Sequence, residues 1–243
     1  MGGDRSVDFG RRGAGEGRRV AELSVFRRVV LVRHGQTEWN EARRFQGKTD
    51  ISLSDVGRRQ AQALAERLSS WRAEAVYSSP LSRALDTARA VAERHGLVPA
   101  VLEELHEVDF AGWEGLSIPG LKEERREDFA RWRADPFFNP PPGAEGWEDI
   151  RLRLERAVGK ILGGPETRIV VVSHGGVMRA LYAVLVGFDP HQVWNMDVTN
   201  CAMTGVELRN GRACIRFAND DLHVRGGRAG RTLPVWDEVG SLV

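Results

Sequence analysis

The sequence has few cysteines and no long apolar run, and these two absences narrow its class. Two cysteines, Cys201 and Cys214, among 243 residues cannot form the disulfide framework that stabilises small secreted proteins. We expect both to be buried, reduced thiols in a cytoplasmic protein. No apolar run reaches the roughly 18–20 residues that a membrane-spanning helix needs, so no contact with a membrane is expected.

An excess of charge of either sign is also missing. The chain has 35 basic and 34 acidic residues, which gives a net charge of +1. This balance argues against a protein that binds nucleic acid through bulk electrostatics, so any affinity for anions must be local. The histidines show no i, i+4 pair and no paired cysteines of the zinc type, so neither a metal nor another cofactor is expected. They are His34, His95, His106, His174, His191 and His223.

The two ends of the chain differ from its middle. Residues 1–27 mix glycine, arginine and acids without the apolar core of a signal peptide, and we expect disorder there. A basic arm that binds a partner is the alternative. Residues 224–243 are interpreted as a C-terminal tail. Residues 28–223 show no repeat and no break in composition, which favours a single domain.

Short apolar strands alternate with amphipathic helices along this domain. The pattern predicts an α/β fold with helices on both faces of a mostly parallel central sheet. An Asn-Gly turn at residues 210–211 predicts a hairpin and therefore an antiparallel edge. The predicted strands are 28–33, 75–77, 99–102, 168–172, 201–208 and 213–218, and the predicted helices are 57–68, 81–95, 122–133, 147–162 and 177–186.

Polar side chains follow three of these strands. Arg33 and His34 end the first strand, Arg83 lies one turn into the helix after the second, and His174 ends the fourth. Parallel strands bring their carboxyl ends to one edge, where free N–H groups at helix starts would add to the guanidiniums in binding an anion. Gly35 would allow the tight turn after His34. Taken singly, Arg83 is compatible with a surface ion pair and His174 with a buried core histidine, but two strand-His-Gly-helix units favour one site.

Six segments, in this order, resemble those of the histidine phosphatase superfamily, which includes cofactor-dependent phosphoglycerate mutases and acid phosphatases. They are residues 32–40, 45–50, 53–61, 77–87, 107–115 and 172–176. The resemblance covers residues 28–223 and implies a phosphoglycerate mutase-like, three-layer αβα sandwich. It also implies a helical cap insertion at about residues 116–146.

The resemblance assigns catalytic roles to the residues at the strand ends. His34 would attack phosphorus as a neutral imidazole and form a phosphohistidine. Glu107 would protonate the leaving alcohol and then deprotonate water, although the sequence alone also allows a surface acid there. The loop after Glu107 departs from the family pattern at Ala111-Gly112, where the family commonly has glycine and a polar residue. The implied phosphate- and substrate-binding residues are Arg33, Asn40, Gln46, Gly47, Arg83, His174 and Gly175.

The short stretch between Glu107 and His174 resembles the broad-specificity phosphatase branch, which includes α-ribazole phosphatase. The expected activity is therefore hydrolysis of a small phosphorylated metabolite. A phosphoglycerate mutase and a catalytically idle phospho-ligand binding protein are the alternatives. Whether the protein forms a homodimer is left undecided by the sequence.

Two further groups of residues allow two interpretations each. One group of arginines is either a solvated helix face or a site for a second substrate anion, and we favour the first. One group of aromatic residues either lines the entrance or forms core. The arginines are Arg125, Arg126, Arg131 and Arg133, and the aromatic residues are Trp113, Trp132, Phe137, Phe138 and Trp147.

Overall fold

The computed structural model describes residues 26–225, so predictions for residues 1–25 and 226–243 lie outside the described residues. The described strands are β1 Arg27–Arg33, β2 Ala75–Ser78, β3 Ala100–Val101, β4 Arg168–Ser173, β5 Met203–Arg209 and β6 Arg212–Asp220. The described helices are α1 Glu38–Glu41, α2 Asp55–Leu68, α3 Ser82–Glu93, α4 Ile118–Glu124, α5 Arg126–Ala134, α6 Trp147–Leu162 and α7 Gly175–Val186.

The strands form one sheet in the order β3-β2-β4-β1-β5-β6, which confirms the predicted α/β class. The first four are parallel, whereas β5 runs antiparallel to β1 and pairs with β6 in the predicted hairpin. Arg33 of β1 is paired with Ser173 of β4. The next residues, His34 and His174, therefore leave neighbouring strands at the same level.

The sheet separates two apolar cores, as a three-layer sandwich requires. Val29 and Leu31 point to one face, which is covered by α6, α7 and aromatic residues such as Trp113 and Phe137. Val30 and Val32 point to the other face, which α2 and α3 cover. Burial on both faces explains why β1 and β4 are almost continuously apolar. Among the helices described, none has the length and apolar character needed to cross a membrane.

Several helix boundaries follow local signals. The Ser54 hydroxyl accepts a hydrogen bond from the Gly57 N–H and caps α2, as predicted. Helix α6 has the predicted bounds. Helix α3 begins only at Ser82, so Arg83 is its second residue rather than lying one turn inside it. Helix α7 begins two residues earlier than predicted, which makes His174 its N-cap residue.

The single helix predicted at residues 122–133 is wrong. The segment contains α4 and α5, which meet at Arg125, where φ is −132° and ψ is 45°. Helix α4 starts earlier because Ser117 caps it through the Gly120 N–H, with a proline in its first turn. The expectation of buried thiols is confirmed for Cys201 and wrong for Cys214, which is exposed, and both cysteines are free.

Candidate active site

A cavity of about 280 Å³ opens at the carboxyl ends of β1 and β4. Eight of the predicted site residues line it, namely Arg33, His34, Asn40, Gln46, Gly47, Arg83, Glu107 and Gly175. His174 is fully buried beside it, with its ring centroid 5.1 Å from that of His34. The register of β1 and β4 therefore brings the two strand-His-Gly units together.

The hydrogen bond of His34 defines which ring nitrogen is free. Its Nδ1 lies 2.7 Å from the carbonyl oxygen of Gly35. Since a carbonyl only accepts, Nδ1 carries the proton and Nε2 keeps its lone pair in the neutral ring. Burial, and then the nearby Arg83 and Arg33 guanidiniums, lower the pKa of His34 well below its usual value. The ring is therefore neutral at physiological pH and has the form a nucleophile needs.

Both ring nitrogens of His174 have protein partners. Arg83 Nε donates to His174 Nδ1 over 3.2 Å, so the neutral ring carries its proton on Nε2, which lies 2.7 Å from the Ser79 hydroxyl. Burial lowers the pKa of His174 well below its usual value, and the Arg83 guanidinium adds to this effect. In this arrangement His174 orients Arg83.

The Arg83 guanidinium is held from a second side by the loop at residues 47–49. Its Nη2 donates to the Gly47 carbonyl over 2.7 Å and its Nη1 to the Thr49 carbonyl over 2.8 Å. Glu114 braces this loop by accepting the N–H groups of Lys48 and Thr49. A side chain at Gly47 would collide with Glu114, since an added Cβ would lie 1.8 Å from Oε1.

Arg33 provides a second guanidinium on the cavity wall. Its Nη1 donates to the Val198 carbonyl over 2.6 Å, while its Nε is buried without a protein partner. Burial lowers the pKa of Arg33 to about 10, so the side chain stays cationic at neutral pH. The unsatisfied Nε is available to an anion in the cavity.

Glu107 sits at the N-terminus of α7. Its carboxylate accepts the N–H groups of Gly176 and Val177, both over 3.2 Å, and that of Val108 over 2.9 Å. The carboxylate therefore uses donors that a helix N-terminus leaves free. An added Cβ at Gly176 would lie 2.8 Å from Glu107 Oε1, so only glycine permits this approach.

The expectation of free N–H donors after β1 is wrong. The N–H groups of Gly35, Gln36 and Thr37 donate to side chains of Thr87, Gln60 and Asn40. The helix that follows is a single turn, so its dipole adds little there.

The φ of Gly35 does not lie in the left-handed region, so its backbone conformation does not require glycine. Close packing requires it instead. An added Cβ at Gly35 would lie 2.6 Å from the Gly57 carbonyl oxygen, and one at Gly57 would lie 2.0 Å from the Gln36 carbonyl oxygen. The start of α2 is therefore pressed directly against the loop that carries His34.

The two predicted amide ligands differ in their bonding. Asn40 Oδ1 accepts hydrogen bonds from Thr37 and Asn200, so the amide nitrogen of Asn40 points away from Thr37, the residue that caps α1. Gln46 is 8% exposed, and its Oε1 has no partner although it is buried. An unsatisfied buried oxygen on a cavity wall calls for a donor from a ligand or water.

Sequence reasoning missed Arg179, which also lines the cavity. Its guanidinium carbon lies 4.7 Å from the ring centre of Trp194, its Nη1 donates to the Gly175 carbonyl, and its Nε is buried without a protein partner. Arg179 follows Gly175 by one helical turn, a spacing visible in the sequence. Arg43 is a further cation on this wall.

The aromatic residues near the cavity divide between its wall and the core. Trp132 and Phe110 line the cavity, whereas Trp113 and Phe137 are each 1% exposed and belong to the core. The four arginines of α5 and its start are exposed and none lines the cavity, which agrees with a solvated face. They are Arg125, Arg126, Arg131 and Arg133. The loop after Glu107 places Ala111 in the left-handed region, with φ of 48°. Within residues 26–225, no group of three or more acidic, histidine or cysteine side chains is placed to hold a metal.

A family model described as histidine phosphatase superfamily (branch 1) matches residues 29–221. Phosphoserine phosphatase 1 of Hydrogenobacter thermophilus is 32% identical over 198 residues, which cover 81% of this chain and 94% of the relative. Glucosyl-3-phosphoglycerate phosphatase of Mycobacterium tuberculosis is 38% identical over 168 residues, covering 65% of this chain and 75% of the relative.

Solved structures give the same picture. A mycobacterial glucosyl-3-phosphoglycerate phosphatase in complex with VO3 matches with a TM-score of 0.72 at 32% identity, covering 79% of this chain and 99% of that one. A putative α-ribazole-5'-P phosphatase from Escherichia coli matches with a TM-score of 0.73 at 30% identity, covering 80% and 97%. Each likeness covers about four fifths of this chain.

Proposed function

Because the chain belongs to the histidine phosphatase superfamily, we propose that it hydrolyses a small phosphomonoester through a phosphohistidine at Nε2 of His34. The observation that carries this proposal is the Nδ1–H bond from His34 to the Gly35 carbonyl, which leaves Nε2 free among cations. The same bond stabilises the positive charge that the ring acquires when Nε2 is phosphorylated.

The first half-reaction uses the cations and the carboxyl group together. Nε2 forms a bond to phosphorus while the bond from phosphorus to the ester oxygen breaks. Arg33 and Arg83 stabilise the phosphoryl oxygens, and protonated Glu107 gives its proton to the departing alcohol. For His174 to contact these oxygens directly, its Nε2–H must leave the Ser79 hydroxyl. Asn40, Gln46, Gly47 and Gly175 form the rest of the phosphate wall.

In the second half-reaction, the Glu107 carboxylate takes a proton from water as the water oxygen attacks phosphorus. The nitrogen–phosphorus bond breaks, inorganic phosphate leaves and the neutral ring returns. One carboxyl group thus acts first as acid and then as base, which requires its position to be fixed in both steps.

The wall around Arg179 and Arg43 supports a finer statement about the substrate. The guanidiniums of Arg179 and Arg43 line the same cavity as the phosphate-binding residues, and they suit a second anionic group of the substrate, such as a carboxylate close to the phosphoester. Two relatives are named phosphoserine phosphatase and glucosyl-3-phosphoglycerate phosphatase, which agrees with such a substrate. The cavity of about 280 Å³ fits a small metabolite.

Trapping the intermediate tests the chemistry. After brief reaction with 4-nitrophenyl phosphate and quenching in alkali, we expect the intact protein to gain one phosphoryl group, which acid then removes. His34→Ala should show no gain, whereas His95→Ala, at a histidine that does not line the cavity, should behave as wild type. Absence of phosphate release by wild type across about pH 5–8 would refute the proposal.

A panel of phosphorylated metabolites tests whether the protein is a phosphatase or a mutase, and which alcohol its substrate carries. Isomerisation of 3-phosphoglycerate in the presence of 2,3-bisphosphoglycerate without net phosphate release would assign a mutase instead.

Three further properties are proposals. They are a cytoplasmic location, a single domain at residues 28–223 with a cap at 116–146, and a homodimer. The two free thiols support the first of these, and light scattering after size-exclusion chromatography tests the last.

A further inference from the structure

The segment that carries Glu107 has no helix or strand of its own to hold it. It runs from a short 3-10 turn at Glu103–Leu105 into an irregular stretch. The carboxylate bonds to the start of α7 fix the tip of the side chain. They do not explain what fixes the backbone on either side of it.

An ion pair between Arg153, which is buried, and Glu145, which is half-buried, contacts this backbone before and after Glu107. Arg153, on α6, donates through Nη1 to the carbonyl oxygens of Glu104 and His106, over 2.6 and 2.9 Å. Its Nε and Nη2 hold the two carboxylate oxygens of Glu145 at 2.5 and 2.8 Å. The backbone N–H of Glu145 donates to the Asp109 carbonyl over 3.0 Å, and the Asp109 N–H donates to the Glu145 carboxylate over 3.4 Å.

The contacts of the pair therefore bracket Glu107. Those of Arg153 precede it in the chain by one and three residues, and those of Glu145 follow it by two. Arg153 is 5% exposed, and the Glu145 side chain is 11% exposed. An ion pair that is largely removed from solvent adds little net stability, because desolvation offsets its attraction. Its bidentate geometry instead fixes position.

We propose that Arg153 and Glu145 are a positioning pair for Glu107, which they hold where it can exchange a proton with the leaving alcohol and with water. This inference rests on the proposed phosphatase chemistry. Neither residue touches the cavity, so both act through the 104–109 backbone. A misplacement of about 1 Å in a reacting group can cost roughly 100-fold in rate.

The choice of substrate distinguishes positioning of an acid from a general loss of structure. Nitrophenolate leaves phosphorus with little help from an acid, whereas the alkoxide of glycerol 3-phosphate needs a proton. With enzyme in excess, a single turnover reports transfer to His34 alone. We expect Arg153→Met to slow single-turnover cleavage of glycerol 3-phosphate by about 100-fold and that of 4-nitrophenyl phosphate by less than about 5-fold.

Arg151→Met on the same helix is the matched control. Arg151 also holds two carboxylates, those of Glu148 and Glu155, but these ion pairs lie at the surface. The variant Arg151→Met should match wild type on both substrates.

Combining Arg153→Met with Glu107→Gln should slow glycerol 3-phosphate cleavage no further than Glu107→Gln alone, because the two residues act through one carboxyl group.

If Arg153→Met does not fold by circular dichroism, Glu145→Gln decides the question with the same two substrates. Equal losses on both substrates, a change in KM alone, or additive effects with Glu107→Gln would overturn the positioning role. These results require an active wild type. A wild type that releases no phosphate overturns the proposed function instead, so the two failures are distinguishable.

Discussion

Gly176→Ala isolates the contact between Glu107 and the start of α7. The added Cβ would lie 2.8 Å from Glu107 Oε1 and 2.8 Å from Val108 Cγ2. The carboxylate must retreat by about half an ångström or more to reach ordinary van der Waals separation. Since about 1 Å of misplacement costs roughly 100-fold, we expect kcat on alkyl phosphates to fall about 10- to 100-fold.

Stability should fall as well, but by less than the roughly 5–15 kcal/mol that native proteins typically have, so the protein stays folded. Weakened hydrogen bonds to the carboxylate cost about 1.5–3 kcal/mol, while alanine recovers up to about 1 kcal/mol of helix propensity. The net loss of about 0.5–3 kcal/mol would lower Tm by several degrees in a chain of this size. Steady-state kinetics on glycerol 3-phosphate and thermal denaturation measure both quantities.

Gly159→Ala in α6 is the control, because an added Cβ there meets nothing within 4 Å. It should stabilise the fold by about 1 kcal/mol without changing kcat. A Gly176→Ala variant with wild-type kcat on the alkyl ester would refute the argument that Glu107 needs this close approach.

Three further predictions concern charge. Arg83→Lys should lower kcat/KM about 100- to 1000-fold, measured on 4-nitrophenyl phosphate, because an ammonium cannot replace a fork bonded to His174 and two carbonyls. Arg179→Met should abolish an expected preference of about 10-fold or more for 3-phosphoglycerate over glycerol 3-phosphate in kcat/KM, and an unchanged ratio would place the carboxylate elsewhere. Because folding lowers the pKa of His34 and His174, the unfolded state takes up protons first as pH falls through about 6.5, so urea denaturation should show stability falling there by about 1 kcal/mol per pH unit for each ring. His34→Ala should lose one ring's share of that slope.

Most of the sheet could be predicted from the sequence, because runs of apolar residues and turn residues are local patterns. The Asn210-Gly211 turn sits in the left-handed region that a two-residue hairpin needs, and both strands form around it. The two histidines could be brought together by topology alone. In contrast, the break between α4 and α5 at Arg125 leaves no composition signal, since arginine is a good helix former.

Residues that act through other residues were harder to find. Arg153 lies on the apolar stripe of α6 with Ile150, Leu154 and Ala157, and an arginine in such a stripe predicts a buried partner. Its partner Glu145 lies in the preceding loop, where no periodicity places it. The bonding of the His174 ring likewise depends on Ser79, which is distant in sequence.

The contact between Gly35 and Gly57 has a consequence for how this protein can vary. Each glycine leaves room for main-chain atoms of the other's segment, so a larger residue at either position collides with backbone that no rotamer change can move. Replacing both adds a second clash and relieves neither, so no single or double substitution leads away from the pair. Laboratory evolution toward new substrates should therefore spare both positions while the wall around Arg43 and Arg179 diversifies.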